Sequence, residues 1–214
     1  MNYTTNYFLL FIIYSFFGWL LEVSLVLLKE HKFINRGFLI GPVVPIWGFG
    51  AIIISIILKD SDGIFNLLVS SAFIGTFLEY VVNYLMELVF KARWWDYSDR
   101  PFNVNGRVWL GSSVFFGIGG LCVIKFFNPF LLKFLCVFNT GILNTISILL
   151  FIIIVVDLVI SCNIIKNLKL SVRSLKKDYT EEISKKVMNS LIKKSNSFKR
   201  LFKAFPDVHF IIKK

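Results

Sequence analysis

Residues 142–164 read ILNTISILLFIIIVVDLVISCNI, a run in which Asp157 is the single charged side chain. At about 1.5 Å per residue, a helix of this length crosses the roughly 30 Å of hydrocarbon in a bilayer. A helix that is apolar on every face belongs in lipid or wholly inside a large core. Four more windows of this kind precede it, at residues 7–28, 39–58, 65–90 and 108–125. A shorter run at 126–138 is interrupted by Asn128-Pro129 and Lys133. It reads as an interfacial or re-entrant segment, with a sixth short span as the alternative. The composition agrees, with 56% hydrophobic residues, 17% charged residues and a mean hydropathy of +0.71. Soluble domains run at about 45–50% apolar and about 25% charged. The expected fold class is therefore an all-α membrane bundle of about five transmembrane helices.

Basic residues orient such a bundle, because positive charge gathers on the cytoplasmic side. With the N-terminus outside, Lys29, Lys32 and Arg36 lie inside, as do Lys91, Arg93, Arg100 and Arg107. The segment from Lys166 onward adds fourteen more, leaving only Lys59, Lys125 and Lys133 outside. Five crossings keep the first loop and the tail on one side, and an even number does not. The expected division is a membrane domain, 1–165, followed by a basic cytoplasmic tail, 166–214. The tail carries +10 of the net charge of +11. Its apolar positions Leu168, Val172, Leu175, Tyr179, Ile183, Val187 and Leu191 recur at three and four, predicting an amphipathic helix, with Pro206 as a stop near its end. Such a tail suits solvent, anionic lipid or a partner protein, and tethering to a membrane argues against nucleic acid. The N-terminal run lacks a basic flank and a small-residue cleavage site, and is read as a retained helix.

The chemistry sits in carboxylates placed where lipid is expected: Glu22, Glu79, Glu87 and Asp157. Each costs roughly 2.5–3.5 kcal/mol at a helix centre unless it faces protein, water or a cation. Ser71, Gly75, Glu79, Asn83 and Glu87 recur every four residues, forming one stripe along the third helix. Ser15, Gly18 and Glu22 share a face of the first helix, and Asp157 and Ser161 pair in the last. Glu22, Glu79, Asn83, Glu87 and Asp157 thus make a candidate polar cluster in the inner half of the membrane. Structural ion pairing and a substrate, proton or ion site are both open readings. Asn35, Arg36, Arg93, Trp94, Trp95, Asp96, Tyr97, Asn103, Asn105 and Arg107 form a candidate cap over it. The tryptophans alone would fit an aromatic belt. Gly41-Pro42-Val43-Val44-Pro45, ahead of Gly48 and Gly50, suits either a plain helix start or a broken helix lining a cavity.

Other chemistries find little support. Cys122, Cys136 and Cys162 have no paired spacing, and His31 and His209 have no companion motif. No metal or cofactor site is expected. There is no phosphate-cradling Gly-x-x-x-x-Gly-Lys-Ser/Thr loop and no nucleophile–base pair, so the reading leans away from an enzyme.

Phe17-Gly18-Trp19 with Glu22, Asn35-Arg36-Gly37-Phe38-Leu39 with Gly41-Pro42, and Pro45-Ile46-Trp47-Gly48 make one group of distinctive segments. Glu79-Tyr80 with Glu87, Arg93-Trp94-Trp95-Asp96-Tyr97, and Phe102-Asn103-Val104-Asn105-Gly106-Arg107 make another. In this order, over roughly residues 8–160, they resemble the putative ABC-transporter type IV family, also called CmpB-like. The resemblance implies a multi-pass protein of the bacterial plasma membrane, of ABC-permease type, working with a separate ATPase. Two departures stand out: Val44 where a cysteine is common, and Trp109-Leu110-Gly111 in place of Cys-Leu-Glu. Five spans are few for a pathway, so a homodimer is expected alongside membrane lipid. An intramembrane enzyme acting on a lipid-like substrate and a non-catalytic scaffold are the alternatives.

Overall fold

A computed structural model describes residues 3–175, 195–205 and 209–210. The chain is an all-α polytopic membrane protein. Helices α1 (Tyr3–Glu30), α3 (Ile64–Phe90) and α6 (Thr140–Leu175) are joined by α4 (Leu110–Cys122), whose course continues through a π segment, Val123–Phe127, into α5 (Asn128–Leu135). Four helical runs are long and apolar enough to cross a membrane: Tyr3–Glu30, Ile64–Phe90, Leu110–Leu135 and Thr140–Asn167. Their outer faces expose Phe73, Phe77, Ile148, Ile153 and many similar side chains, the arrangement that lipid rather than water selects.

The second expected span is not a full helix. Residues 35–44 carry no helix, and α2 (Pro45–Ile57) contributes 13 residues, about 20 Å. Two prolines explain this. Pro42 and Pro45 donate no hydrogen bond, and each disfavours a helical conformation in the residue before it. Val44 accordingly sits extended, at φ −120° and ψ 94°. Its N–H donates to the Ser15 carbonyl at 3.0 Å, which fixes the start of α2 against the middle of α1. From there α2 runs antiparallel to α1, with Trp47 against Gly18 and Gly48 against Ser15 and Phe11. A side chain at Gly18 or Gly48 would occupy the space of those neighbours.

The expected break after residue 125 is also absent. Residues 126–135 extend the fourth helix, and the interruption appears as the π segment. Pro129 removes a donor and its ring crowds the carbonyl four residues back, so the helix widens just ahead of it. Asn128 secures the junction by accepting from the Tyr14 hydroxyl at 2.6 Å and donating to Ser55 Oγ at 2.7 Å.

Helices α3 and α4 pack antiparallel through small residues. Gly117 lies against Leu68 and Ala72, Gly120 against Ser71, and Gly75 against Phe116. Thr76 Oγ1 bonds Ser113 Oγ at 2.7 Å within the same contact. At the far end Leu9, Leu10, Tyr14, Leu131, Leu135 and Leu143 form a core, and Thr5 donates to Asn144 at 2.7 Å.

The loops 31–44 and 91–109 share the opposite end. There α7 (Asn196–Ala204) buries Leu201 and Ala204, and Leu201 joins a core of Ala92, Trp94 and Ile165. The strand β1 (Ala92–Arg93) pairs antiparallel with β2 (His209–Phe210), a contact for which the sequence offers no period-2 signal. Of the expected tail helix, Leu168, Val172 and Leu175 continue α6, while Tyr179, Ile183, Val187 and Leu191 lie outside the described residues.

Candidate functional site

Glu22 is placed by the α1–α2 contact. With no side chain on Gly18, Trp47 lies close against α1 and its Nε1 donates to Glu22 Oε1 at 2.9 Å. Arg36 approaches from the extended segment, its Nε 4.0 Å from Glu22 Oε2, at the outer limit of an ion pair. That Nε is buried without a hydrogen-bond partner among the described residues. Asn35 holds the approach, accepting from Trp19 Nε1 at 2.7 Å and donating to the Ile40 carbonyl at 2.8 Å.

Glu79 lies on the buried stripe of α3, only 7% exposed. Its partners are neutral: the Tyr97 hydroxyl at 3.3 Å and Ser112 Oγ at 2.9 Å. Among the described residues it forms no salt bridge, and it lies close enough to Glu22 to feel that charge. Tyr97 is held by the loop, its N–H donating to the Gly106 carbonyl at 2.7 Å. Burial pushes the Tyr97 hydroxyl well above its ordinary pKa, and the neighbouring Glu79 adds to the shift, so it stays a proton donor at any physiological pH.

Glu87, two turns along, is different. Arg107 Nη2 lies 2.8 Å and Arg93 Nε 3.5 Å from its Oε2. Arg107 also bonds Asn83 and sits over the Tyr80 and Tyr84 rings at 5.6 and 5.3 Å. Asn83 donates to the Trp95 carbonyl at 3.2 Å, and Trp95 Nε1 returns a bond to the Arg107 carbonyl at 3.1 Å. Arg93 reaches Asp96 at 3.1 Å and the Asn105 carbonyl at 3.1 Å. Some burial opposes ionisation of Asp96, but bonds from Ser98 and the Arg93 charge prevail and hold its carboxyl below the usual range. Asn103 bonds the Ser98 and Arg100 carbonyls and accepts from the Gly106 N–H at 3.0 Å. Asn105 donates to the Tyr80 hydroxyl at 3.0 Å. Asn105 and Gly106 both take positive φ, at 54° and 66°, and Gly106 leaves room for Asp96 and Ser98.

The five expected cluster residues therefore separate into three arrangements. Glu22 and Glu79 come together, and Asn83 and Glu87 join the arginine network. Asp157 stands elsewhere, accepting from the N–H groups of Ile40 at 2.9 Å and Gly41 at 2.7 Å, and from Ser161 Oγ at 3.0 Å. In the expected cap, Trp94 packs into an aromatic core instead, with the Phe205 ring 4.9 Å away. Among the described residues no three His, Cys, Asp or Glu side chains converge as metal ligands. A cavity of about 220 Å³ at the opposite end, lined by Thr5, Asn6, Leu135 and Leu143, is remote from these carboxylates.

The family described as "Putative ABC-transporter type IV" matches residues 9–162. The chain belongs to this family. The matched stretch holds every candidate residue from Glu22 to Asp157 and ends before α7. No curated protein and no solved structure matches the chain at a significant level. Within this family member, sequence reasoning missed Ser112 and Arg200 as partners and did not place Trp47 on Glu22. Trp47 lay inside a quoted motif, but Ser112 is 33 positions from Glu79 with nothing local to join them.

Proposed function

We propose that this protein is the permease component of an ABC-type transporter in the bacterial plasma membrane, with Glu79 and Glu22 on its pathway. The observation that carries the reading is Glu79, a carboxylate in the middle of a membrane helix held by two hydroxyls and, among the described residues, by no cation. A structural acid at that depth is normally paired, because leaving it unpaired in a medium of low dielectric costs several kcal/mol. Holding it on neutral donors keeps it available to a proton or a charged solute. The short α2 supports the same reading, since non-helical backbone at membrane depth is tolerated where it is enclosed by protein or lines a cavity.

In this reading the N-terminus is outside, and the loops 29–38 and 91–107 and the tail, 166–214, face the cytoplasm. The extended segment ahead of α2 completes the second of five crossings. The family name supports a separate ATPase subunit, which would dock on the cytoplasmic loops, and two copies of the chain would supply enough helices to enclose a path. The test is to tag the protein at its native locus, extract it into native nanodiscs and quantify co-purifying proteins by mass spectrometry. A nucleotide-binding ATPase at stoichiometric yield is expected. Recovery of the chain alone, or only with itself, would overturn the ABC assignment.

A further inference from the structure

Extended backbone has to satisfy its polar groups without helical bonds, and residues 37–41 do so by borrowing from two distant elements. Asp157 of α6 takes the N–H groups of Ile40 and Gly41. Arg200 of α7 takes the carbonyls, donating to Leu39 at 2.9 Å, Gly37 at 3.2 Å and Phe38 at 3.3 Å. One acid and one base, 43 positions apart by their numbers, thus bracket five residues of extended chain. Gly37 makes the turn into it at φ +147°, a conformation that side-chain-bearing residues rarely adopt.

The same tail segment also holds the other loop. Leu201 packs on Ala92 and Trp94, Phe205 stands edge-on to Trp94, and β2 extends β1. Both loops that reach the carboxylates are therefore tied to one terminal segment. Loop 31–44 carries Arg36 to Glu22, and loop 91–109 carries Tyr97 to Glu79. Lys199 and Lys203 point away from this contact into the open. Burial lowers the pKa of Arg200, and the Asp157 charge partly restores it, as expected of a guanidinium inserted between protein layers.

We propose that residues 195–205, together with the β2 strand pair at His209–Phe210, form a detachable clasp that locks both loops over the Glu22–Glu79 site, and that its release opens the site to water. The attachment combines charge-assisted bonds to neutral carbonyls, a small apolar core around Leu201 and a two-residue strand pair, with no ion pair from α7 to either loop among the described residues. The clasp rests on the reading of Glu22 and Glu79 as a site, but its mechanical part is testable without transport or an ATPase.

The full chain, lacking Cys122, Cys136 and Cys162, receives a reporter as Leu39→Cys, at a position with 0% exposure. A second reporter, Asp62→Cys, marks the opposite end of the bundle. Labelling by a hydrophilic maleimide is followed in nanodiscs, where both faces meet the reagent and sidedness does not enter. Losing the Arg200 bonds is expected to raise the rate at Leu39→Cys at least about tenfold in Arg200→Ala, since charge-assisted bonds are the stronger kind. Arg200→Lys should give a smaller rise, and the rate at Asp62→Cys should not change. If Arg200→Ala fails to accumulate, a protease site inserted within residues 176–194 lets the intact protein fold before it is cut. Loss of the fragment must then bring the same rise. An unchanged rate at Leu39→Cys, in Arg200→Ala or after loss of the fragment, overturns the clasp.

Discussion

Glu79 and Glu87 stand two turns apart on one helix, in one stripe, and the protein treats them oppositely. Glu87 receives Arg107 at 2.8 Å and Arg93 at 3.5 Å, in a network closed by Asn83, Trp95 and Asp96. Glu79 receives two hydroxyls. The difference arises in loop 91–109, whose arginines fold back over the end of α3 while its Tyr97 reaches one level deeper. A half-buried acid between arginines joins elements together; a buried acid on neutral donors is left able to meet a proton or a solute.

The largest effect that would break this comparison lies on the paired side. Arg107→Ala leaves Glu87 with Arg93 alone, at 3.5 Å, and removes the guanidinium from Asn83, Tyr80 and Tyr84. Breaking one partner of a buried pair costs about 3–5 kcal/mol, so the variant should unfold at much lower temperature in nanodiscs. A shift equivalent to less than about 1 kcal/mol would place Arg107 among the exposed pairs, which contribute little. A smaller effect sharpens the neutral side. Ser112→Ala leaves Glu79 with Tyr97 alone, and a lost partner of a buried acceptor costs about 1–3 kcal/mol. Thermal unfolding reads this directly. If Ser112→Ala is neutral while Tyr97→Phe is not, the tyrosine alone holds the carboxylate.

Much of the fold was legible, for a simple reason. Lipid requires apolar length, so windows such as 65–90 and 142–164 locate helices that the structure places at Ile64–Phe90 and Thr140–Leu175. The windows failed where backbone chemistry overrides hydropathy. Pro42 and Pro45 shorten α2 without making the segment less apolar, and Pro129 is absorbed by a widened turn rather than a break. The stripe Ser71, Gly75, Glu79, Asn83 came out of spacing alone, because a four-residue repeat is a local property of a helix; all four are buried. What divides Glu79 from Glu87 was not legible. Their partners lie 6 to 33 positions away, and which arginine or hydroxyl arrives depends on how one loop turns at Asn105 and Gly106. Asp157 was grouped with the glutamates by depth, yet depth says nothing about azimuth, and it faces the extended segment instead. The docking of α7 was hidden too: Arg200 looks in sequence like one more basic residue of a solvated tail.

The most direct test sets Glu79→Gln beside Glu87→Gln in the same nanodiscs and compares their unfolding temperatures. An amide can accept from the Tyr97 hydroxyl through its oxygen and donate to Ser112 Oγ through its nitrogen, leaving Ser112 to donate to the Trp109 carbonyl, so Glu79→Gln should unfold within a few degrees of the unaltered protein. Glu87→Gln leaves Arg107 without an anion and Arg93 with Asp96 alone, and should unfold well below it. A loss in Glu79→Gln as large as that in Glu87→Gln would make Glu79 a structural acid and contradict the account.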